Sequence, residues 1–88
     1  MAWLSTELRE PERETARALI AEKAAWLRKY EPAANIAEDL LGHQLRTLLV
    51  ELSEAVDRLQ RRNTHRLLKE VDRVFYKLVV TRLRRRPL

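Results

Sequence analysis

The sequence predicts an all-α protein, a three-helix antiparallel bundle that self-associates. Apolar residues recur at intervals of three and four along most of the 88-residue chain, which is the period of a helix with one buried face. Two short segments, 31–34 and 61–65, interrupt this period and divide the chain into three helices. A chain of this length forms one domain with a thin core, and small helical proteins often compensate for such a core by oligomerising.

The first predicted helix spans about residues 11–30. Pro11 suits the first helical position because the N–H that it lacks would have no partner there, and Glu12 suits the positive end of the helix dipole. Lys23 falls within the apolar face of this helix. We favour the interpretation that its stem lies on the core while the ammonium group stays in water. The alternative is a lysine that points into an anion site.

Residues 1–10 form a predicted N-terminal arm, and residues 11–88 form a single helical bundle domain. Pro11 disfavours a helical conformation at the residue before it, which separates the arm from the first helix. Trp3 and Leu4 are apolar residues of the arm. We interpret them as a lid folded back on the bundle, and the alternative is that they insert into a partner.

The second predicted helix, residues 35–62, carries the longest apolar seam of the chain. Asn35 and Glu38 are spaced as the two members of a capping box at its start. Gly42 lies inside the helix, where it costs about 1 kcal/mol relative to alanine, and a kink or break there is the alternative to a continuous helix. The seam steps by four, three, four, three and four residues and comprises Leu41, Leu45, Leu48, Leu52, Ala55 and Leu59.

The same helix has a second apolar line on the side opposite the leucine seam. A helix with one buried face does not need such a line, so the line is either enclosed between two elements or presented to another chain. We favour the second interpretation, which predicts a homodimer. The residues of this line are Ile36, Leu40, His43, Thr47 and Val50.

The third predicted helix spans residues 64–85 and forms a hairpin with the second. The apolar phase shifts between Leu59 and Leu67, and a straight helix would have to rotate its apolar face by about 110° to follow it. A turn with Asn63 or Thr64 as the next N-cap explains the shift. One continuous long helix is the alternative.

Positive charge is concentrated in the last third of the chain. The whole sequence has 18 Lys and Arg against 13 Asp and Glu, a formal net charge of +5. Residues 61–88 contain ten Lys and Arg against two acids, a net charge of +8, and most of these cations share one face of the third helix. This basic face, with one tyrosine and the C-terminal arginines, comprises Arg62, Arg66, Lys69, Arg73, Tyr76, Lys77, Arg84, Arg85 and Arg86.

The basic face has several possible partners. It is typical of a surface that binds DNA or RNA, because phosphate contacts by Lys and Arg give strong, salt-dependent binding. Tyr76 could stack on an exposed base. An acidic protein surface is a second class of partner. The plain alternative is a solvated face whose arginines complement the helix dipole.

The sequence contains no motif for catalysis, metal binding or membrane insertion. It has no cysteine, no glycine-rich phosphate loop and no Glu-x-x-His pair, and His43 and His65 are isolated from each other. No apolar run approaches the ~18 residues of a membrane span, and the N-terminus does not resemble a signal peptide. A small enzyme is the least favoured class, with Lys23 as its only hint.

These observations predict a non-enzymatic, cytoplasmic interaction or oligomerisation module, with no cofactor, no metal and no membrane partner. The alternative function is that of a nucleic-acid-binding accessory protein that uses the basic face.

Overall fold

The computed structural model describes residues 7–29 and 36–84, and it places almost all of them in three helices. Helix α1 spans Glu10–Lys29, α2 spans Ile36–Asp57 and α3 spans Arg61–Arg84. α2 packs against both other helices and gives an elongated bundle with principal dimensions of 56 × 20 × 18 Å. The predicted three-helix bundle is confirmed, and the end of the second helix is the boundary that differs most from its prediction.

The core lies mainly between α2 and α3. Leu45 and Leu52 from the leucine seam meet Leu67, Val71 and Leu78 of α3, and all five are at most 1% exposed. Burying one such side chain contributes about 1.5–3 kcal/mol relative to leaving it in water. The contact between α2 and α3 is therefore the main source of stability in the bundle.

Helix α1 contributes fewer buried side chains than α2 or α3, and only Ala16 and Leu27 are buried. Four further apolar residues of α1 are partly buried at the edge of the core: Leu19, Ile20, Ala24 and Trp26. One of them, Trp26, meets Phe75 of α3 edge to face, with ring centroids 4.9 Å apart. α1 thus covers one side of the α2–α3 hairpin without being fully enclosed by it.

Lys23 of α1 is a largely covered cation. Only 13% of its side chain is exposed. Its Nζ lies 3.9 Å from the centroid of the Phe75 ring and 3.4 Å from a carboxylate oxygen of Glu22. The stem lies on the core, as snorkelling requires, and the ammonium group rests against an aromatic face instead of pointing fully into water.

The turn between α2 and α3 lies earlier than the sequence predicted. Leu59 has a φ of 57°, and its N–H donates a hydrogen bond to the carbonyl of Val56 at 3.1 Å. The N–H of Gln60 donates to the carbonyl of Ala55 at 2.9 Å. These two bonds form a Schellman motif, which satisfies carbonyl groups that the end of a helix leaves without partners.

Helix α3 consequently begins at Arg61, and the predicted N-caps at Asn63 and Thr64 were wrong. Both residues lie inside the first turn of α3. Gln60 takes the capping position instead, since its carbonyl accepts the N–H of Thr64 at 2.8 Å and its side-chain oxygen accepts Asn63 Nδ2 at 3.1 Å. The predicted turn was displaced because the left-handed residue is a leucine, which gives no turn signal in the sequence.

The end of the N-terminal arm pairs with this turn. The N–H of Leu8 donates to the carbonyl of Leu59 at 3.1 Å, and Glu7 and Gln60 form an isolated antiparallel bridge. Leu8 is only 5% exposed and belongs to the core. Trp3 and Leu4, the predicted lid, lie outside the described residues.

Helix α2 runs without a break through Gly42, so the alternative of a stop and restart there is wrong. Gly42 is buried, and a Cβ at this position would meet nothing within 4 Å. Glu38, one half of the predicted capping box, is fully buried in the first turn of α2. The other half, Asn35, lies outside the described residues.

Candidate interaction surfaces

The second apolar line of α2 lies on the outside of the bundle. Ile36 is 79% exposed, Leu40 is 63% exposed and Val50 is 58% exposed. His43 and Thr47, between them, are also exposed. The alternative that this line is enclosed between two elements is therefore wrong within the bundle. We call these five residues the outer line of α2.

Thr47 makes the outer line less polar than its composition suggests. Its Oγ1 donates a hydrogen bond to the carbonyl of His43 at 3.1 Å, one turn earlier in the helix. A hydroxyl that is satisfied by its own helix leaves its methyl group to face outward contacts. The imidazole of His43 is then the main polar group at the middle of the line.

An apolar groove between α1 and α2 adjoins the C-terminal end of the outer line at Val50. The sequence did not reveal this groove, because its walls come from two helices and no periodicity within either one marks it. The residues that line it are Ile20, Ala24, Leu27, Arg28, Arg46, Leu49, Val50 and Ser53.

The basic face of α3 has the geometry that the sequence predicted as far as Arg84. Arg62, Arg66, Lys69, Arg73, Lys77 and Arg84 are all exposed. Tyr76, on the same side of the helix, is 70% exposed. Arg85 and Arg86 lie outside the described residues.

Two of the cations on this face have partners within α3. The Arg73 guanidinium donates to the Glu70 carboxylate at 2.7 Å, and Arg66 donates to the Asn63 side-chain oxygen at 2.6 Å. The hydrogen bond from Arg73 holds the pKa of the Glu70 carboxyl below its ordinary value, and the charges of Arg73, Arg66 and Lys77 act in the same direction. The same bond raises the pKa of Arg73.

Four other cations of the face have no hydrogen bond or ion pair to any residue in the described ranges. These are Arg62, Lys69, Lys77 and Arg84. Lys77 also lines a shallow groove between α3 and α1, together with Tyr76 and Lys23. The face is thus a row of available positive charges with one aromatic ring beside it.

A polar cluster joins the start of α1 to the start of α3. Glu12 Oε2 lies 2.9 Å from His65 Nε2 and 3.5 Å from Arg61 Nε, and Glu12 Oε1 accepts the N–H of Arg9 at 3.3 Å. The hydrogen bond with His65 lowers the pKa of Glu12, although partial burial opposes it. Sequence reasoning treated His65 as isolated because its partner is 53 residues away.

The described ranges offer no metal-binding cluster. Between residues 7 and 29 and between 36 and 84, no three His, Asp or Glu side chains are grouped so that they could hold a metal ion. Within those same ranges, none of the three helices combines the length and apolar character needed to cross a bilayer.

Comparison of the chain with protein-family models, with curated proteins and with solved structures found no match.

Proposed function

We propose that this protein is a non-enzymatic, cytoplasmic helical module that self-associates through the outer line of α2. The observation that carries the proposal is the exposure of Ile36, Leu40 and Val50, three large aliphatic side chains, along one face of a single helix. Contiguous exposed apolar surface is typical of a protein–protein contact. The adjoining groove between α1 and α2 extends this surface and offers space for the side chains of a partner helix.

The free energy available to such a contact is modest. Burying each aliphatic side chain of the line contributes about 1.5–3 kcal/mol, and association opposes this with the loss of translational and rotational freedom. We therefore expect a dimer with a dissociation constant in the micromolar range, which corresponds to a binding free energy of about −8 kcal/mol. The fraction of dimer should then depend on protein concentration.

Sedimentation equilibrium over a wide range of protein concentrations tests the proposal. The wild type should shift from monomer to dimer, and the double substitution Leu40→Lys with Val50→Lys should remain monomeric with unchanged helicity by circular dichroism. Ala18→Lys with Ala21→Lys is the matched control, because it adds the same charge to exposed positions of α1, away from the outer line. A wild type that stays monomeric at several hundred micromolar would overturn the proposal.

The basic face of α3 supports a second candidate function, binding of DNA or RNA. The specific observation in its favour is that Arg62, Lys69, Lys77 and Arg84 form no hydrogen bond or ion pair with an acidic residue in the described part of the chain. They extend over about 33 Å of helix at 1.5 Å per residue, which is enough for several contacts to a phosphate backbone. The two functions are compatible, since a dimer would present two basic faces. An acidic protein surface is the other partner that fits this chemistry.

Fluorescence anisotropy at 150 mM salt, with one duplex and one single-stranded probe, tests this second candidate. Replacing Arg62, Lys69 and Lys77 together by Gln should abolish binding. Each lost phosphate contact should also flatten the salt dependence on duplex DNA by about one unit of slope. A second triple substitution, of Arg9, Lys29 and Arg58 by Gln, removes the same charge from other exposed positions and should bind nearly as well as the wild type. Equal losses in the two variants would mean that only net charge matters.

A further inference from the structure

We infer that the partner of the outer line of α2 is a second copy of this chain, with the two α2 helices antiparallel and a two-fold axis beside His43. This inference rests on the proposed self-association and adds to it the identity and the orientation of the partner. It is carried by the spacing of the line and by the charges on one of its flanks.

The two ends of the outer line are equally far from its middle residue, His43. Ile36 lies seven residues before His43, and Val50 lies seven residues after it. When two α2 helices lie antiparallel with His43 at the axis, Ile36 of each copy is opposite Val50 of the other. Both aliphatic ends of the line are then covered, and the exposed end at Ile36 meets the apolar groove that adjoins Val50.

Asp39 and Arg46 decide between the antiparallel and the parallel arrangement. They are seven residues apart and therefore lie within about 20° of each other around the helix, on the flank where Arg46 lines the groove toward α1. Both are exposed, and neither has a hydrogen bond or an ion pair within the described residues. They are thus two opposite charges on one edge of the apolar line, available to a partner.

The antiparallel arrangement brings these opposite charges together. Asp39 lies four residues before His43 and Arg46 lies three residues after it, so rotation about the axis puts each Asp39 within about one residue, 1.5 Å along the helix, of the second copy's Arg46. Two equivalent ion pairs result. In a parallel pair the two copies of this flank lie on opposite sides of the contact, so Asp39 would face the exposed Gln44 of the second copy instead of a cation.

The acidic C-terminal half of α2 favours the same orientation. Glu51, Glu54 and Asp57 are exposed. Glu54 is on the same side of α2 as the outer line and would face its own counterpart in a parallel pair. In the antiparallel pair, Glu54 lies eleven residues from the axis. The second copy's α2 begins at Ile36, only seven residues from the axis, so Glu54 extends past its end. The two acidic segments then lie at opposite ends of the dimer.

Disulfide cross-linking of single-cysteine variants tests the orientation, and the natural chain helps because it contains no cysteine. His43→Cys should cross-link to itself under mild oxidation. Ile36→Cys alone, or Val50→Cys alone, should not cross-link, because the two identical cysteines of the dimer would be about 21 Å apart. A mixture of the two variants should cross-link, because the cysteine at position 36 of one chain would lie opposite the cysteine at position 50 of the other. Glu54→Cys is the control on the same side of α2, since its two copies lie about 33 Å apart.

Charge reversal gives an independent measurement. Asp39→Arg and Arg46→Asp should each raise the dissociation constant about tenfold, because two attractive contacts become repulsive. Combining both substitutions in one chain should restore affinity to within about threefold of the wild type. Glu54→Arg, with the same change of charge as Asp39→Arg, should have little effect.

The outcomes separate the inference from the function on which it rests. Efficient self-cross-linking of Ile36→Cys, Val50→Cys and Glu54→Cys, each alone, would indicate a parallel dimer and overturn the inference while leaving self-association in place. A double charge variant that binds no better than the single variants would also overturn it. A wild type that remains monomeric would overturn both the inference and the proposed function.

Discussion

The α2–α3 hairpin and helix α1 are stabilised in different ways. The hairpin encloses Leu45, Leu52, Leu67 and Leu78 almost completely, whereas α1 buries only alanine and leucine at Ala16 and Leu27. α1 is rich in alanine, and its small side chains bury little area. Its attachment depends instead on partly exposed contacts.

Helix α1 therefore acts as a cover on a hairpin that supplies most of the stability. The contacts at its two ends are an aromatic pair with Phe75 and a polar cluster at Glu12, both only partly shielded from water. Both proposed interaction surfaces also belong mainly to the hairpin, on the outer sides of α2 and α3.

The loss of a core leucine from the hairpin should reduce stability more than any other single change considered for the bundle. Leu52→Ala should lower the free energy of unfolding by about 3 kcal/mol, because Leu52 is 0% exposed and its removal leaves a cavity. Leu19→Ala, at a partly buried position of α1, should cost only about 1 kcal/mol. Urea denaturation followed by circular dichroism measures both. Equal losses would contradict the comparison.

A gain in stability is expected at Gly42. Gly42→Ala should raise the free energy of unfolding by up to about 1 kcal/mol, since alanine is the better helix former and the new methyl group meets no neighbouring atom. The same denaturation experiment measures it, with Ala21→Gly at an exposed position of α1 as the reverse substitution. A loss at Gly42 would mean that neighbouring side chains occupy the space beside it in solution.

The contact between Trp26 and Phe75, which attaches α1 to α3, should make a modest contribution to stability. A double-mutant cycle with Trp26→Leu and Phe75→Leu should give a coupling free energy of about 0.5–1.5 kcal/mol, the range for edge-to-face pairs. Lys23→Met removes the cation from the Phe75 ring and measures how much the cation–π contact contributes to the free energy of unfolding. A coupling free energy near zero would show that this ring contact does not help to attach α1 to α3.

The smallest effect is the pH dependence of the attachment at the start of α1. Because the folded pKa of Glu12 is lowered, its contribution is present above the ordinary carboxyl value of 4.5 and is lost as the pH falls through the folded pKa. Glu12→Gln should therefore remove a small part of the stability difference between pH 6 and pH 3. Thermal unfolding of both proteins across this range measures it, and parallel curves would contradict the assignment.

The hairpin was predictable because the seven-residue repeat of its leucines needs only local information. The outer line was predictable for the same reason, since Ile36, Leu40 and Val50 repeat with the helical period and proved to be exposed. The same holds for the basic face as far as Arg84. In each case one helix carries the whole pattern.

Other features could not be predicted because they combine distant or atypical residues. The turn was misplaced because Leu59, an apolar residue that fits the heptad, adopts a left-handed conformation usual for glycine. The pairing of Glu12 with His65 joins residues that no local pattern connects. The groove between α1 and α2 likewise exists only after packing.

The hydrogen bond from Leu8 to the carbonyl of Leu59 has a consequence for the order of folding. It closes a loop of about fifty residues, and such a loop is slow to close and costs more chain entropy than the short α2–α3 turn. The Schellman motif, in contrast, forms between residues that are already neighbours. We therefore expect the hairpin to be largely formed in the folding transition state and the arm to dock afterwards. Substitutions at Leu52 or Val71 should then slow folding, whereas Leu8→Ala should mainly accelerate unfolding.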